Sequence, residues 1–272
     1  VRTRILHVSD IHIGARNAQH DPEVERTIGA LVERLQPELV IASGDLTHRG
    51  RRDQHMRAAQ LLRELETPLL VVPGNHDIPY SLPARFSHPW REFERQWDTT
   101  EPVYSSPAIQ AVGVNSVRPS HHQSGGVPDA QLGRVAERLV GSQPGALRIV
   151  ALHHQLVGAP WRTRKRPVAR RSHVLAGFIE AGADLIVGGH IHQAAVSERH
   201  EFEVVRGQSS RPVVISIAPG FGQPRPRRRG EARGVMVYTA DDEHLAVETY
   251  LWNEGDWNLR ARRTFPRAAS AL

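Results

Sequence analysis

The chain has 272 residues, 39% of them hydrophobic, with 35 Lys and Arg against 29 Asp and Glu for a net charge of +6. That length allows one substantial core and the charge suits an anionic partner, while no apolar run approaches the roughly 20 residues of a membrane-spanning helix. The absence of cysteine excludes disulfides, thiolate nucleophiles and thiolate metal ligands, so a transition metal must be held by His, Asp, Glu or Asn.

The chain opens directly on a strand-like run without a secretory pattern, which fits a cytoplasmic protein. Residues 4–9 read as the first strand and end in Asp10-Ile11-His12-Ile13-Gly14. Asp21-Pro22 reads as a helix N-cap followed by proline at the first helical position, and Val24, Ile28, Leu31, Val32 and Leu35 continue at helical spacing. Residues 39–42 are a second strand ending in Ser43-Gly44-Asp45, and 54–65 a second helix. The run Leu69-Leu70-Val71-Val72 is a third strand, stopped by Pro73-Gly74 and followed at once by Asn75-His76-Asp77. This β-α-β-α-β order implies parallel strands with right-handed crossovers and every strand tip on one edge.

Residues 79–107 form a proline-rich excursion with a short helix over 90–97, where Trp90, Trp97, Phe86 and Phe93 serve core packing or a lid. Strands follow at 109–114, 147–152 and 185–187, with helices at 130–140 and 174–181 between them. The strand-like runs 203–205, 213–217, 235–238 and 245–251 then come without helices, a switch that points to a second sheet packed on the first. Residues 1–265 read as a single domain and 266–272 as a flexible tail.

Polar clusters sit at five strand ends: Asp10/His12, Asp45, Asn75/His76, His153 and His190/His192. A polar turn explains any one of them. Together on one edge they supply imidazole, carboxylate and amide donors, a set suited to Fe, Mn, Zn or Co. The spacing of two in Asp10-x-His12 and His190-x-His192 aims both side chains the same way if the segment is extended.

Asp10-x-His12, Gly44-Asp45, Gly74-Asn75-His76-Asp77, His153 and Gly189-His190-x-His192 resemble, in this order, the signature of the calcineurin-like metallophosphoesterases. Gly44-Asp45-Leu46-Thr47 and residues 72–79 look closest to the bacterial class III cyclic-nucleotide phosphodiesterase branch. The resemblance implies an α/β fold, a four-layer α/β/β/α sandwich of two mixed β-sheets flanked by helices. It implies two divalent or trivalent transition-metal ions (Fe, Mn, Zn or Co). Asp10, His12, Asp45 and His192 would hold the first, and Asp45, Asn75, His153 and His190 the second, with Asp45 bridging. The implied reaction is in-line attack of a metal-bridging hydroxide on a small phosphodiester, with 3′,5′-cyclic nucleotides as the first choice. His76 resembles the family's non-ligand catalytic histidine, and Asp77 would orient it from behind. The implied partner is thus a small phosphodiester, with nucleic acid less favoured, no membrane, and the oligomeric state left open, a dimer included.

The pattern departs from the family after His153, where His154-Gln155-Leu156 replaces the frequent His-Pro-Pro, so the choice of His153 over His154 rests on its being first past the strand. Asn115-Ser116 stands where many relatives carry Asp-Ser. His7, inside the first strand, reads as a packed core residue. His48 lies close enough to touch substrate, though an ordinary loop histidine explains it equally. The basic runs 162–166 and 225–229 are solvated loops by default, but the first leaves the strand bearing His153, which makes Arg162 and Arg164 candidates for holding a phosphate. Two other readings compete: a DNA-repair-type metallonuclease, favoured by those runs, and a non-catalytic binding scaffold, against which the full ligand set speaks.

Overall fold

The computed structural model describes residues 2–15, 22–121, 123–161, 163–199, 212–222 and 231–267. The alternation begins with β1 (Thr3–Val8), α1 (Pro22–Leu35), β2 (Leu39–Ala42), α2 (Arg52–Arg63) and β3 (Leu69–Val71). Two short helices, α3 (Ala84–Ser87) and α4 (Arg91–Trp97), lead to β4 (Val103–Ser105). Then come β5 (Ile109–Val114), α5 (Asp129–Val140), β6 (Leu147–Leu152), α6 (Arg171–Glu180) and β7 (Leu185–Gly188). Among the described residues β8 (Ala195–Arg199), β9 (Val213–Ile217), β10 (Gly234–Ala240), β11 (His244–Asn253) and β12 (Asp256–Pro266) follow without a helix.

The strands form two mixed sheets, ordered β12-β11-β10-β1-β2-β3 and β4-β5-β6-β7-β9-β8. β1, β2 and β3 pair in parallel, as do β5, β6, β7 and β9; helices carry the crossovers between β1, β2 and β3 and between β5, β6 and β7, while the chain passes from β7 to β9 by way of the edge strand β8. Period-two alternation divides the side chains between three apolar layers. Ile5, Leu39 and Ile41 face Ile149, Leu185 and Val187 in the seam between the sheets. On the outer face of the first sheet Leu6 and Val40 pack under Ile28 and Leu31 of α1 and Leu62 of α2. Val150 and Ile186 of the second sheet pack under Leu139 of α5 and Phe178 of α6. The result is the expected α/β/β/α sandwich.

Three strands escape the sequence pattern, each at or near a sheet margin. β4 is short, β8 mixes polar and apolar residues, and β12 buries only Trp257 and Phe265. Glu254 (φ 52°) and Gly255 (φ 85°) make the turn from β11 to β12, both positive as a tight two-residue hairpin demands. The expected strand at 203–205, the cap Asp21, the basic run 225–229, Arg162 and tail residues 268–272 lie outside the described residues.

His7 is fully buried, as its place in β1 predicts, and belongs to a polar chain across the seam. The Tyr238 hydroxyl donates to Ser216 Oγ at 3.0 Å, so it accepts from His7 Nδ1 at 2.8 Å, and His7 Nε2 accepts from Ser43 Oγ at 2.8 Å. Every partner is met by the neutral ring, and burial pulls the His7 imidazole down to about 3. The unfolded chain takes up that proton near the ordinary imidazole value of about 6.5, so between the two values it binds more protons and stability rises with pH. In metal-free protein His7 should therefore cost about 2 kcal/mol of stability on going from pH 7.5 to pH 5. Denaturant titrations at the two pH values should show a drop in His7→Gln that is smaller by about that amount. Equal acid sensitivity in both proteins would rule the effect out.

Candidate metal centre and active site

The loops that follow β1, β2, β3, β6 and β7 meet at one end of the seam. Asp10, His12, Asp45 and Asn75 come from the first sheet, and His153, His190 and His192 from the second. Backbone bonds lace the loops of the first sheet together, from Asp10 N–H to the Gly44 carbonyl and from His12 N–H to the Asp45 carbonyl, both 2.9 Å. Gly44 (φ 89°) and Gly74 let the next loop close: a Cβ on Gly44 would lie 2.5 Å from Gly74 N, and one on Gly74 2.1 Å from Asp45 N.

The paired residues are not extended. Asp10 (φ 55°), His12 (54°), Asp45 (51°), His190 (71°) and His192 (58°) all occupy the left-handed region, which costs a side-chain-bearing residue of order 1–3 kcal/mol. The spacing of two therefore converges through alternate left-handed residues instead of a straight strand end.

Each carboxylate is half satisfied. Asp10 Oδ2 accepts from Ser9 Oγ at 2.8 Å and His190 N–H at 2.9 Å, and Asp45 Oδ1 accepts from His76 N–H at 2.8 Å. Asp10 Oδ1 and Asp45 Oδ2 are buried without a hydrogen bond. Around the first, His192 Nε2 lies at 3.0 Å and His12 Nε2 at 3.8 Å, the two nitrogens 3.1 Å apart. Around the second, His153 Nε2 lies at 3.3 Å and His12 Nε2 at 3.7 Å. His153 Nε2 is in turn 3.2 Å from both Asn75 Oδ1 and His190 Nδ1.

Outer partners fix the rings. His153 Nδ1 donates to the Ser43 carbonyl at 2.8 Å and His190 Nε2 to the Gln123 carbonyl at 3.0 Å, so His153 Nε2 and His190 Nδ1 present lone pairs inward. The Glu231 carboxylate lies 3.9 Å from His192 Nδ1. The separations of 3.0 and 3.3 Å match the roughly 3.0–3.4 Å between neighbouring donors around a cation with bonds of about 2.1 Å, and those of 3.7 and 3.8 Å to His12 lie a few tenths of an ångström beyond it. The residues fit transition-metal ions: Asp10, His12 and His192 form one compact donor group and Asp45, His153 and His190 another.

Electrostatics agree. Burial pushes the Asp10 and Asp45 carboxyls up, but His192 beside the first and His153 beside the second hold both well below the usual range. Burial pulls the His153 imidazole down, yet Asp45 wins and raises it to about 9, so without a cation Nε2 holds a proton toward Asp45, and its lone pair becomes available when a cation takes that proton's place. Burial, with Lys165 and the neighbouring His154 and His153 adding to it, takes the His190 imidazole well down.

His153, and not its neighbour, faces the donor group. His154 turns away to Ser116 Oγ, 2.9 Å from its Nδ1. His76 borders the centre edge-on to His12, with ring centroids 4.9 Å apart. Asp77 does not touch the His76 ring, contrary to expectation. Its buried carboxylate accepts from Gly74 N–H (2.8 Å), Thr47 N–H (2.8 Å), Leu46 N–H (3.2 Å) and Thr47 Oγ1 (3.0 Å), stapling the second loop to the third. The His76 ring is held instead by the His48 carbonyl, 2.9 Å from Nδ1, and the Tyr80 hydroxyl at 2.8 Å, a role in which sequence gave Tyr80 no part. His48 thus stands beside the centre, its ring stacked 5.6 Å from that of His76. In the basic loop Arg164 and Arg166 are exposed, and Lys165 between them turns inward. Its ammonium donates to the His190 carbonyl and lies 3.1 Å from His192 Nε2. Alternation along an extended basic run was the only signal for Lys165, and a sequence does not say which parity faces in.

The model of the calcineurin-like phosphoesterase family matches residues 3–194. The chain belongs to that family. It is 26% identical over 176 residues to the 3′,5′-cyclic adenosine monophosphate phosphodiesterase CpdA of Haemophilus influenzae, covering 62% of this chain and 59% of that enzyme. It is 34% identical over 82 residues to the glycerophosphodiester phosphodiesterase GpdQ of Enterobacter lignolyticus, a match spanning 27% of this chain and 29% of that one. A dimetal phosphatase from Danio rerio shares the fold, with a TM-score of 0.65 at 12% identity over 98% of this chain and 99% of that one. No helix among the described residues is long and apolar enough to cross a membrane.

With Asp77 acting as the staple, Asp77→Ala should lower stability by at least about 2 kcal/mol, because buried N–H groups lose their acceptor. Chemical denaturation reads that loss, and elemental analysis should show reduced metal uptake. Unchanged stability with a purely kinetic defect would return Asp77 to the role of orienting His76.

Proposed function

We propose that this chain is a two-metal phosphodiesterase acting on small phosphodiesters, with 3′,5′-cyclic nucleotides as the first substrate class to test. The observation that carries the reading is Asp45 Oδ2, buried, without a hydrogen bond, and within 3.3 Å of His153 Nε2 and 3.7 Å of His12 Nε2. One unmet oxygen between two donor groups is what a bridging carboxylate requires. In this reading Asp10, His12, Asp45 and His192 hold one ion, and Asp45, Asn75, His153 and His190 the other, from among Fe, Mn, Zn and Co. Such a pair supplies Lewis acidity, lowering the pKa of a water and neutralising phosphoryl oxygens.

The protein's own groups do the rest. The His48 carbonyl can only accept, so His76 Nδ1 donates to it and Nε2 is left to carry the exchangeable proton. His76 then protonates the departing oxygen. Burial, with Asp45 nearby, raises the Tyr80 hydroxyl to about 12, so it stays neutral beside that ring. Cyclic nucleotides come first because one relative is a cyclic AMP phosphodiesterase and another a glycerophosphodiester phosphodiesterase.

Asp45→Asn should lose bound metal and turnover together, read by elemental analysis beside hydrolysis of a panel of phosphomonoesters, phosphodiesters and single-stranded DNA. A variant with full activity, or a wild type that cleaves DNA efficiently and small diesters poorly, would displace the reading.

His76→Gln should keep its metals and fold while slowing turnover 10²–10⁴-fold, or about 3–5 kcal/mol of barrier, on esters with an alkoxide or ribose leaving group. Nitrophenyl diesters, whose leaving group needs no proton, should slow less. Equal losses across leaving groups would assign His76 to phosphoryl charge instead of proton donation.

A further inference from the structure

We propose that residues 80–86 form the subsite for the leaving group, where the Tyr80 hydroxyl donates to an oxygen or nitrogen on a nucleoside-like body and Leu82 and Phe86 cover its apolar part; this rests on the phosphoesterase reading above. The placement of one proton carries the assignment. His76 Nδ1 lies 2.9 Å from the His48 carbonyl, which can only accept, so that nitrogen is protonated and offers no lone pair. The Tyr80 hydroxyl, 2.8 Å from the same nitrogen, therefore takes a share of that N–H, and its own proton turns elsewhere. That proton meets no other partner among the described residues. With the phenol pushed up to about 12, chiefly by burial, it remains a donor at neutral pH. The hydroxyl stands beside Nδ1, whereas Nε2 serves the departing oxygen. Tyr80 thus addresses the body of the leaving group and not the breaking bond.

The segment that carries Tyr80 is anchored on both sides of it. Ile78 is fully buried, and a Cβ on Gly50 would lie 2.5 Å from the Ile78 carbonyl carbon, so the loop after β2 packs directly against it. Arg85 is buried as well, and its guanidinium donates to the carbonyls of Pro119 (2.8 Å), Pro79 (3.3 Å) and His121 (3.4 Å). Around these anchors the large apolar side chains turn outward: Tyr80 is 47% exposed, Phe86 59% and Leu82 71%. Apolar surface that a fixed segment holds in water is stabilised when a ligand covers it. An aromatic ring with one polar handle beside aliphatic and aromatic neighbours suits a flat ligand that carries its own acceptors. The contact of Tyr80 with His76 makes this surface continuous with the centre. A small alkyl leaving group has no acceptor for the phenol and too little surface to cover the segment.

The test uses the full chain loaded with metal, and two probes, inorganic phosphate and adenosine 5′-monophosphate. Both offer a phosphoryl group to the centre, and only the second brings a nucleoside. Wild type, Tyr80→Phe and Phe86→Ser are compared by elemental analysis, by calorimetric titration with each probe, and by KM and kcat on cyclic AMP. Wild type should bind the nucleotide several-fold more tightly than phosphate. Tyr80→Phe and Phe86→Ser should each weaken the nucleotide about 3–10-fold, the worth of one net hydrogen bond or a comparable apolar contact, and raise KM in step. Phosphate affinity and metal content should stay at the wild-type level. A wild type that binds the two probes equally overturns the proposal. So does a Tyr80→Phe protein that loses kcat with its nucleotide affinity unchanged, or that loses both probes alike, since Tyr80 would then only brace His76. A wild type that takes up no metal and cleaves no ester fails the phosphoesterase reading itself, and is told apart by the wild-type measurements alone.

Discussion

Two buried carboxylates, each with one oxygen left without a hydrogen bond, set the terms for the rest of the molecule. Taking a carboxylate out of water costs several kcal/mol even after the surroundings relax, and only nearby positive charge offsets it. Asp10 and Asp45 lie at the mouth of the seam, where the first sheet contributes them and the second contributes His153, His190 and His192. A cation held between them would be bonded to both sheets at once. Its binding energy then enters the docking of one half of the sandwich on the other, because the donors are together only in the folded state.

The loops around that point give up stability for placement. Five of the donor residues adopt left-handed backbone although none is glycine. They are kept there by the bonds from Asp10 and His12 to the neighbouring loop, the close approach of Gly44 to Gly74, and the Asp77 staple. Strain of this kind persists only where the surroundings over-determine it, and it gathers where geometry matters more than stability.

Strands buried on both faces were plain in the sequence, since residues 39–42 are a continuous apolar run, 109–114, 147–152 and 213–217 are apolar but for Gln110, Arg148 and Ser216, and all four match β2, β5, β6 and β9. Asn75, His153 and His190 are each the first polar group past such a run, and Asp10 and Asp45 come after a single serine, a pattern open to view in the sequence. What stayed hidden depends on the course of the backbone. Adjacent histidines 153 and 154 are indistinguishable until one ring meets the Ser43 carbonyl and the other Ser116. Asp77 sits next to His76 in sequence, yet its carboxylate points into the 44–47 loop, and the partner that reaches the ring, Tyr80, comes from one turn further on. β12 was missed because, at the margin of its sheet, a strand needs only two buried side chains to hold its place.

That last strand also bears on how the protein behaves among its own copies. The outer rim of β12 is a row of backbone donors and acceptors open to pairing with any extended segment that drifts past. Arg260, Arg262 and Arg263 put charge along this strand, Arg262 beside Glu248 and Arg263 donating to the Val196 carbonyl, and the register shifts between Thr249 and Tyr250, an irregularity of the kind that bends an edge. A second molecule offering the same edge would bring arginine against arginine. The composition that concealed this strand from the hydrophobic pattern is also one that disfavours pairing along an open edge.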